Sequence, residues 1–322
     1  MNSGLLMEWA DTSGAFYRAE MLALLLLLVG FQQLFAQVPS PETLEQKRPG
    51  DISDLNAPIL KFRQSSETGA VEPVQRAPAP DMFTLYTAQS YYHTDNLFLT
   101  APNPQSANAW VGALGISFVP YSTYRWTPRF SVEEALVRFD RVSRVDYSAQ
   151  MFAFDNRLGL TDNNLLSWDF NVSARRLEGD RSGLGEFYKR VESVNNLNWF
   201  LPLDHTGQWL LHASPGVAWR SAHPAFEDRF DAGAVVSVLW LPNQALAFQP
   251  FFEGGYGYYP NDSATLARRR DVHLRGGVNF LWRISNNASV GASAYWAGNY
   301  SSAEGADYQI LPCLMLNGRF GF

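Results

Sequence analysis

The chain has 322 residues, of which 17% are charged and 14% aromatic, with a formal net charge of −6. The charged fraction lies below that of ordinary soluble domains, and the slightly negative mean hydropathy is too low for a bundle of membrane helices. The acidic balance, with Arg268-Arg269-Arg270 as the one local basic cluster, argues against nucleic acid as a partner.

Residues 1–36 read as a signal sequence. Met21 to Val29 is MLALLLLLV, an apolar block too short for a comfortable membrane span and suited to a secretory h-region cleaved after Ala36. Leu34 is large for the −3 position, and residues 1–20 look unlike an n-region. An over-extended start accounts for residues 1–20, and an uncleaved anchor is the competing reading. Residues 37–80 are rich in Pro, Glu, Gln and Ser and nearly lack aromatics, which predicts a disordered periplasmic spacer.

From residue 81 to 322 the pattern changes to period-two alternation. In Asp271–Ile284, Val272, Leu274, Val278, Phe280, Trp282 and Ile284 share one face, while Asp271, His273, Arg275 and Arg283 share the other. Leu281 is the apolar exception. Marking each such run predicts twelve strands: 82–93, 109–119, 129–139, 145–160, 165–177, 186–200, 208–221, 229–241, 246–259, 270–284, 288–298 and 308–322. Most reach the ten or so residues that a tilted membrane-spanning strand needs. The fold class predicted is all-β: a transmembrane, antiparallel, up-and-down β-barrel of about twelve strands, with a disordered N-terminal segment.

The connections sort by parity. TDNN, LPLDHTG, PNQA and SNN are compact and alternate with longer polar segments, as periplasmic turns and external loops do. Trp199, Trp209, Trp240 and Trp282 lie beside the compact turns and form a predicted aromatic girdle with Phe320 and Phe322. In the last strand, Ile310, Leu314, Leu316, Phe320 and Phe322 are read on the lipid face, and Gln309, Asn317 and Arg319 on the other. Pairing of the last strand with the first would leave no open edge. A secreted β-sandwich is the rival fold.

The ending CLMLNGRFGF resembles the C-terminal signature of bacterial outer-membrane proteins, which implies recognition by the barrel assembly machinery. At the other end, FTLYTAQSYYHTDNLFLT, with Thr94-Asp95-Asn96-Leu97-Phe98 after an aromatic strand, resembles the opening of the β-barrel porin type 2 families. That resemblance implies a pore-like function in the outer membrane.

The predicted pore-lining residues are Arg175, Arg190, Glu192, Arg220, Asp231, Glu253, Asp271, His273, Arg275, Arg283 and Arg319. Charges are tolerated on a lumen face and costly on a lipid face. Their bland role is cross-strand bracing. The leading functional expectation is a channel for small solutes. A lipid hydrolase is an alternative, because His212-Ala213-Ser214 places a base and a hydroxyl on one strand face. A structural or polysaccharide-export barrel is another. The five histidines are scattered, no metal motif of useful spacing occurs, and no cofactor is expected. Outer-membrane lipid is the expected surroundings. The first loop, 94–108, is the candidate to fold inward as a plug.

Overall fold

The computed structural model describes residues 61–64, 71–75, 81–95, 106–123, 125–140, 146–161, 165–179, 186–223, 225–243, 245–260, 268–285, 287–303 and 307–322. Two short strands, β1 (Lys61–Gln64) and β2 (Val71–Gln75), pair antiparallel within the Pro-rich segment. The remainder of that segment, the leader and the core of the first loop lie outside the described residues.

Twelve long strands follow: β3 (Phe83–Thr94), β4 (Ala107–Phe118), β5 (Trp126–Phe139), β6 (Tyr147–Gly159), β7 (Leu166–Gly179), β8 (Glu186–Pro202), β9 (Trp209–His223), β10 (Arg229–Trp240), β11 (Leu246–Tyr259), β12 (Arg269–Arg283), β13 (Ala288–Ser301) and β14 (Tyr308–Gly321). Each pairs with its sequence neighbours, and β14 pairs with β3, so the sheet closes into a barrel. Closure leaves no unpaired strand edge, which a lipid environment demands.

Alternation sorts the side chains into an outside and an inside. On the outside, Phe152 is 60% and Leu316 62% exposed, and Trp219, Phe252 and Trp282 are exposed with them. On the inside, Val137 and Ile310 are fully covered. A soluble sandwich buries its large apolar residues and solvates its charges. This barrel does the reverse, so hydrocarbon is the solvent its exterior fits.

Phe83 and Phe322 meet at one end of the barrel, where Phe83 also stacks on Phe118 at 5.0 Å between ring centroids. Trp209 and Trp240 stack there at 5.4 Å. Trp199, opposite Leu166 in the ladder, is half-buried. The turn 203–208 is closed by Asp204, which accepts the Thr206 hydroxyl and the Trp209 N–H, and by Gly207 at φ 67°, a left-handed conformation that suits glycine. With both ends of the barrel sequence and the shortest turn, 284–287, this end is the periplasmic one.

Two sequence expectations change. Loop sorting is weaker than read, because strands extend into the connections. β9 runs to His223, leaving only 224–228 with a 3-10 turn at Ala225–Glu227, although 95–106 and 260–268 at the outer end remain the longest. The second change is in β14. Its pairing jumps from Ile310↔Thr94 to Cys313↔Tyr92 on one side and from Ala297↔Ile310 to Tyr295↔Cys313 on the other. One extra residue is inserted at Leu311-Pro312, where proline has no N–H for the ladder. This bulge reverses the facing of everything before it. Ile310 and Tyr308 point inward and are buried, while Gln309 is exposed, contrary to the unbroken alternation assumed for this strand.

Candidate functional site

The interior is divided into two kinds of wall. Tyr92, Val111, Val137, Phe139, Tyr147, Ile310 and Met315, on β3–β6 and β14, belong to one continuous apolar cluster that also reaches Leu177 on β7, Tyr188 on β8 and Tyr295 on β13. Most of the covered charged residues stand on β7–β12, with Glu133 on β5. Arg175, Arg190, Glu192, Arg220, Asp231, Glu253, Asp271, His273 and Arg275 are all at least nine-tenths buried there. Arg283 and Arg319, nearer the periplasmic end, are half-buried.

Five ion pairs brace the charged wall, the longest being Arg190 Nη2 to Glu192 Oε2 at 3.7 Å. Arg220 donates to Glu192 Oε1 from Nη2 at 2.9 Å and from Nε at 3.3 Å, across β8 and β9. Arg229 donates from Nε to Asp231 at 2.9 Å and from Nη1 to the Tyr259 hydroxyl at 2.5 Å. Arg269 grips Asp271 with two parallel bonds, 2.9 and 2.6 Å, a geometry that only a guanidinium supplies. Arg275 pairs with Glu253 and lies over the rings of Phe251 (5.0 Å) and Tyr295 (5.3 Å). The Tyr259 ring sits between Arg229 and Arg269, at 5.3 and 4.4 Å. Each cation replaces lost hydration with a carboxylate and, for three of them, an aromatic face as well.

Glycine 257 keeps this wall dense. A Cβ there would come within 2.9 Å of Asp231 Oδ1 and of His273 Nε2, so the missing side chain makes room for two polar groups.

Nearer the periplasmic end a row of neutral groups crosses five strands. His212 contacts Asn198 Oδ1 through Nε2 at 3.1 Å and Ser237 Oγ through Nδ1 at 3.2 Å. Gln249 donates to Ser237 Oγ (2.9 Å), and Asn279 donates to Gln249 Oε1 (3.2 Å). With Asn198 as acceptor, the row fits the Nε2–H tautomer, with Nδ1 receiving the Ser237 hydroxyl. Both ring nitrogens are thereby engaged. None is left to activate Ser214, the hydroxyl that the His-x-Ser spacing had paired with it.

Beside this row, Phe200, Leu210, Leu239, Ala247 and Leu281 form a second inward apolar cluster. Leu281, the exception in an alternating strand, belongs here. On β5–β7 the interior is partly solvent-exposed, with Arg157 3.4 Å from Asp169 and Asn171 donating to Asp155 at 2.5 Å. The periplasmic half is thus half-exposed and polar on β5–β7, whereas on β8–β12 covered side chains line both halves of the interior.

Sequence reasoning left Arg229, Arg269 and Tyr259 out of the lining set. All three occupy the first or last position of a strand, where alternation gives no flanking residue on one side to fix the facing. Among the described residues no cluster of three or more His, Cys, Asp or Glu side chains is placed to hold a metal ion.

An apolar exterior around a charged, ion-paired interior defines a transmembrane β-barrel of the bacterial outer membrane. No family model matches the chain, and no curated protein matches it. Among solved structures, the COG4313 outer membrane channel from Pseudomonas putida F1 is similar at 14% identity and a TM-score of 0.54, over 79% of this chain and 100% of that one. The beta domain of the Bordetella autotransporter BrkA matches at 9% identity and 0.46, over 75% and 100% of the two chains. LpxR from Salmonella typhimurium matches at 9% and 0.47, over 74% and 100%. At these identities the likeness is one of fold.

Proposed function

We propose that the chain is an outer-membrane channel for the passive passage of small solutes. The observation that carries this reading is the charged interior itself. A barrel needed only as a scaffold gains nothing from burying Arg220, Arg229 and Arg275, since replacing such pairs with apolar residues is often neutral or stabilising. The similar Pseudomonas putida barrel, named as a channel, agrees in fold. The half-exposed polar lining of β5–β7 leads solute in from the periplasmic side, and the densely paired outer half is the constriction.

The barrel has no enzymatic role in this reading. The lipid-hydrolase alternative loses its base, because His212 is held by Asn198 and Ser237. Residues 1–36 act as the secretion signal, 37–80 lie on the periplasmic side, and 81–322 form the barrel. The final strand is the element that the barrel assembly machinery recognises.

Single-channel recording of the refolded chain in a planar bilayer tests the proposal. Stable ohmic steps are the expected result. A protein that inserts and keeps heat-modifiable gel mobility yet gives no conductance would sink it.

A further inference from the structure

The apolar exterior is interrupted on the face formed by β3–β6. Leu85 and Tyr91 point outward on β3, and Gln89 stands between them on the same face. Val132 and Leu136 point outward on β5, and Glu134 stands exposed between them, while its neighbour Glu133 is buried inside. Gln150, opposite Glu134 on β6, is exposed as well. Among the described residues none of these three side chains makes a hydrogen bond or an ion pair.

Gln89 and Glu134 flank β4. Gln89 is opposite Gly112, and Glu134 is opposite Leu114, the next outward position on that strand. A Cβ on Gly112 would lie 2.7 Å from the Trp110 ring and 3.5 Å from Gln89 Nε2. The Gln89 amide therefore leans over β4, toward the Glu134 side. The depths match too. Phe83, Phe118 and Phe130 share a ladder row, so Trp126 at the start of β5 lies four residues below that row, and rows climb from β3 to β5. Glu134 shares its row with Thr87, two residues below Gln89. Strands tilted about 45° and about 4.8 Å apart raise the row by roughly that much over two strands, so both groups stand at one depth.

A carboxylate and a carboxamide facing hydrocarbon lack partners, and polar groups so placed pair with one another. These two are complementary, since the amide donates and the carboxylate accepts. A two-fold axis along the membrane normal and through β4 sets β3 of one copy against β5 of the other, so the same pairing forms twice. An axis through β3 leaves both carboxylates unpaired, and one through β5 sets them against each other. We propose that this face is the interface of a homodimer, in which Gln89 of each copy donates to the partner's Glu134. The interface does not depend on what the barrel passes.

Sedimentation equilibrium of the refolded full chain in density-matched detergent micelles reads its mass directly. A reversible dimer is expected, with the dissociation constant raised about tenfold or more in Glu134→Leu. Gln89→Glu sets carboxylate against carboxylate and should weaken the dimer likewise. The exchanged variant, Gln89→Glu with Glu134→Gln, keeps a donor opposite an acceptor and should restore it. Heat-modifiable mobility checks that each variant has folded, and the leucine change, apolar on a lipid face, should leave folding intact. A wild-type chain that sediments as a monomer at every concentration overturns the interface, as does a dimer that Glu134→Leu leaves unchanged. A dimer weakened by both single changes but not restored by the exchange overturns the reciprocal pairing. A monomer that cross-links in intact cells through Gln89→Cys to a different protein overturns the second copy as occupant. Conductance by a monomer leaves the channel reading standing without the dimer, and a dimer that gives no conductance does the reverse.

Discussion

Phe83 and Phe322 exchange two backbone hydrogen bonds, at 3.1 and 2.9 Å, and their rings stack with centroids 5.9 Å apart. The first and last barrel strands are thus clamped at the periplasmic edge by the chain's final residue. Phe322 is 60% exposed and projects outward, where lipid covers it.

Replacing Phe322 with alanine keeps the backbone pair and removes the ring. The loss should be no more than about 1.5–3 kcal/mol, the worth of a fully buried aromatic. Deleting the residue removes both hydrogen bonds as well and should cost more. The midpoint of urea unfolding, read by heat-modifiable mobility, separates the two.

The lipid face makes a sharper demand at mid-height. Phe152 lies near the middle of β6 and points outward. Phe152→Arg should cost about 2–4 kcal/mol, the range for arginine at the bilayer mid-plane. Equal stability of variant and wild type in refolded vesicles would contradict the assigned facing.

The Arg275–Glu253 pair is buried on both sides. Arg275→Met alone strands the carboxylate and should destabilise by about 3–5 kcal/mol. The double variant Arg275→Met, Glu253→Leu should recover most of that loss. A double-mutant cycle in denaturant measures the difference.

The turn at 203–208 carries a pH dependence that lies outside the membrane. Partial desolvation pushes the Asp204 carboxyl up, but hydrogen bonds from the Thr206 hydroxyl and the backbone of Trp209, Gly207 and Thr206 outweigh it and hold the group below its ordinary value. A carboxylate depressed in the folded state stabilises at pH above its unfolded value of about 3.9, and that contribution is lost as pH falls through the folded value. Asp204→Asn should be less stable than wild type at pH 7, with the gap closing in acid. A gap independent of pH would show that the charge plays no part.

The barrel was legible because lipid enforces alternation. Asp271, His273 and Arg275 face inward as their strand pattern requires, and each of the twelve strands appears with boundaries shifted by three residues at most. Ile310 and Gln309 were misread because a bulge is one residue long and leaves no trace in a hydrophobicity pattern. Pro312 was the available sign, since a ladder has no place for its missing N–H. Pairing was harder to see. That arginines would brace acids could be expected from composition, but which arginine meets which acid depends on cross-strand register. Arg175 opposite Arg190 is a relation between residues fifteen apart that sequence spacing cannot fix. The engagement of His212 by Asn198 and Ser237 is hidden for the same reason.

The extra residue in β14 also bears on how the last strand finds its place. A regular strand sliding by two residues along a neighbour restores both its hydrogen bonds and its facing, so alternation alone cannot forbid the slip. β14 joins two neighbours, and its pairing with each is offset across Leu311-Pro312. A two-residue slide would force the prolyl nitrogen and its surplus residue into segments of β13 and β3 that are regular. The kink therefore works as a key at the seam, admitting a single alignment when the cylinder shuts.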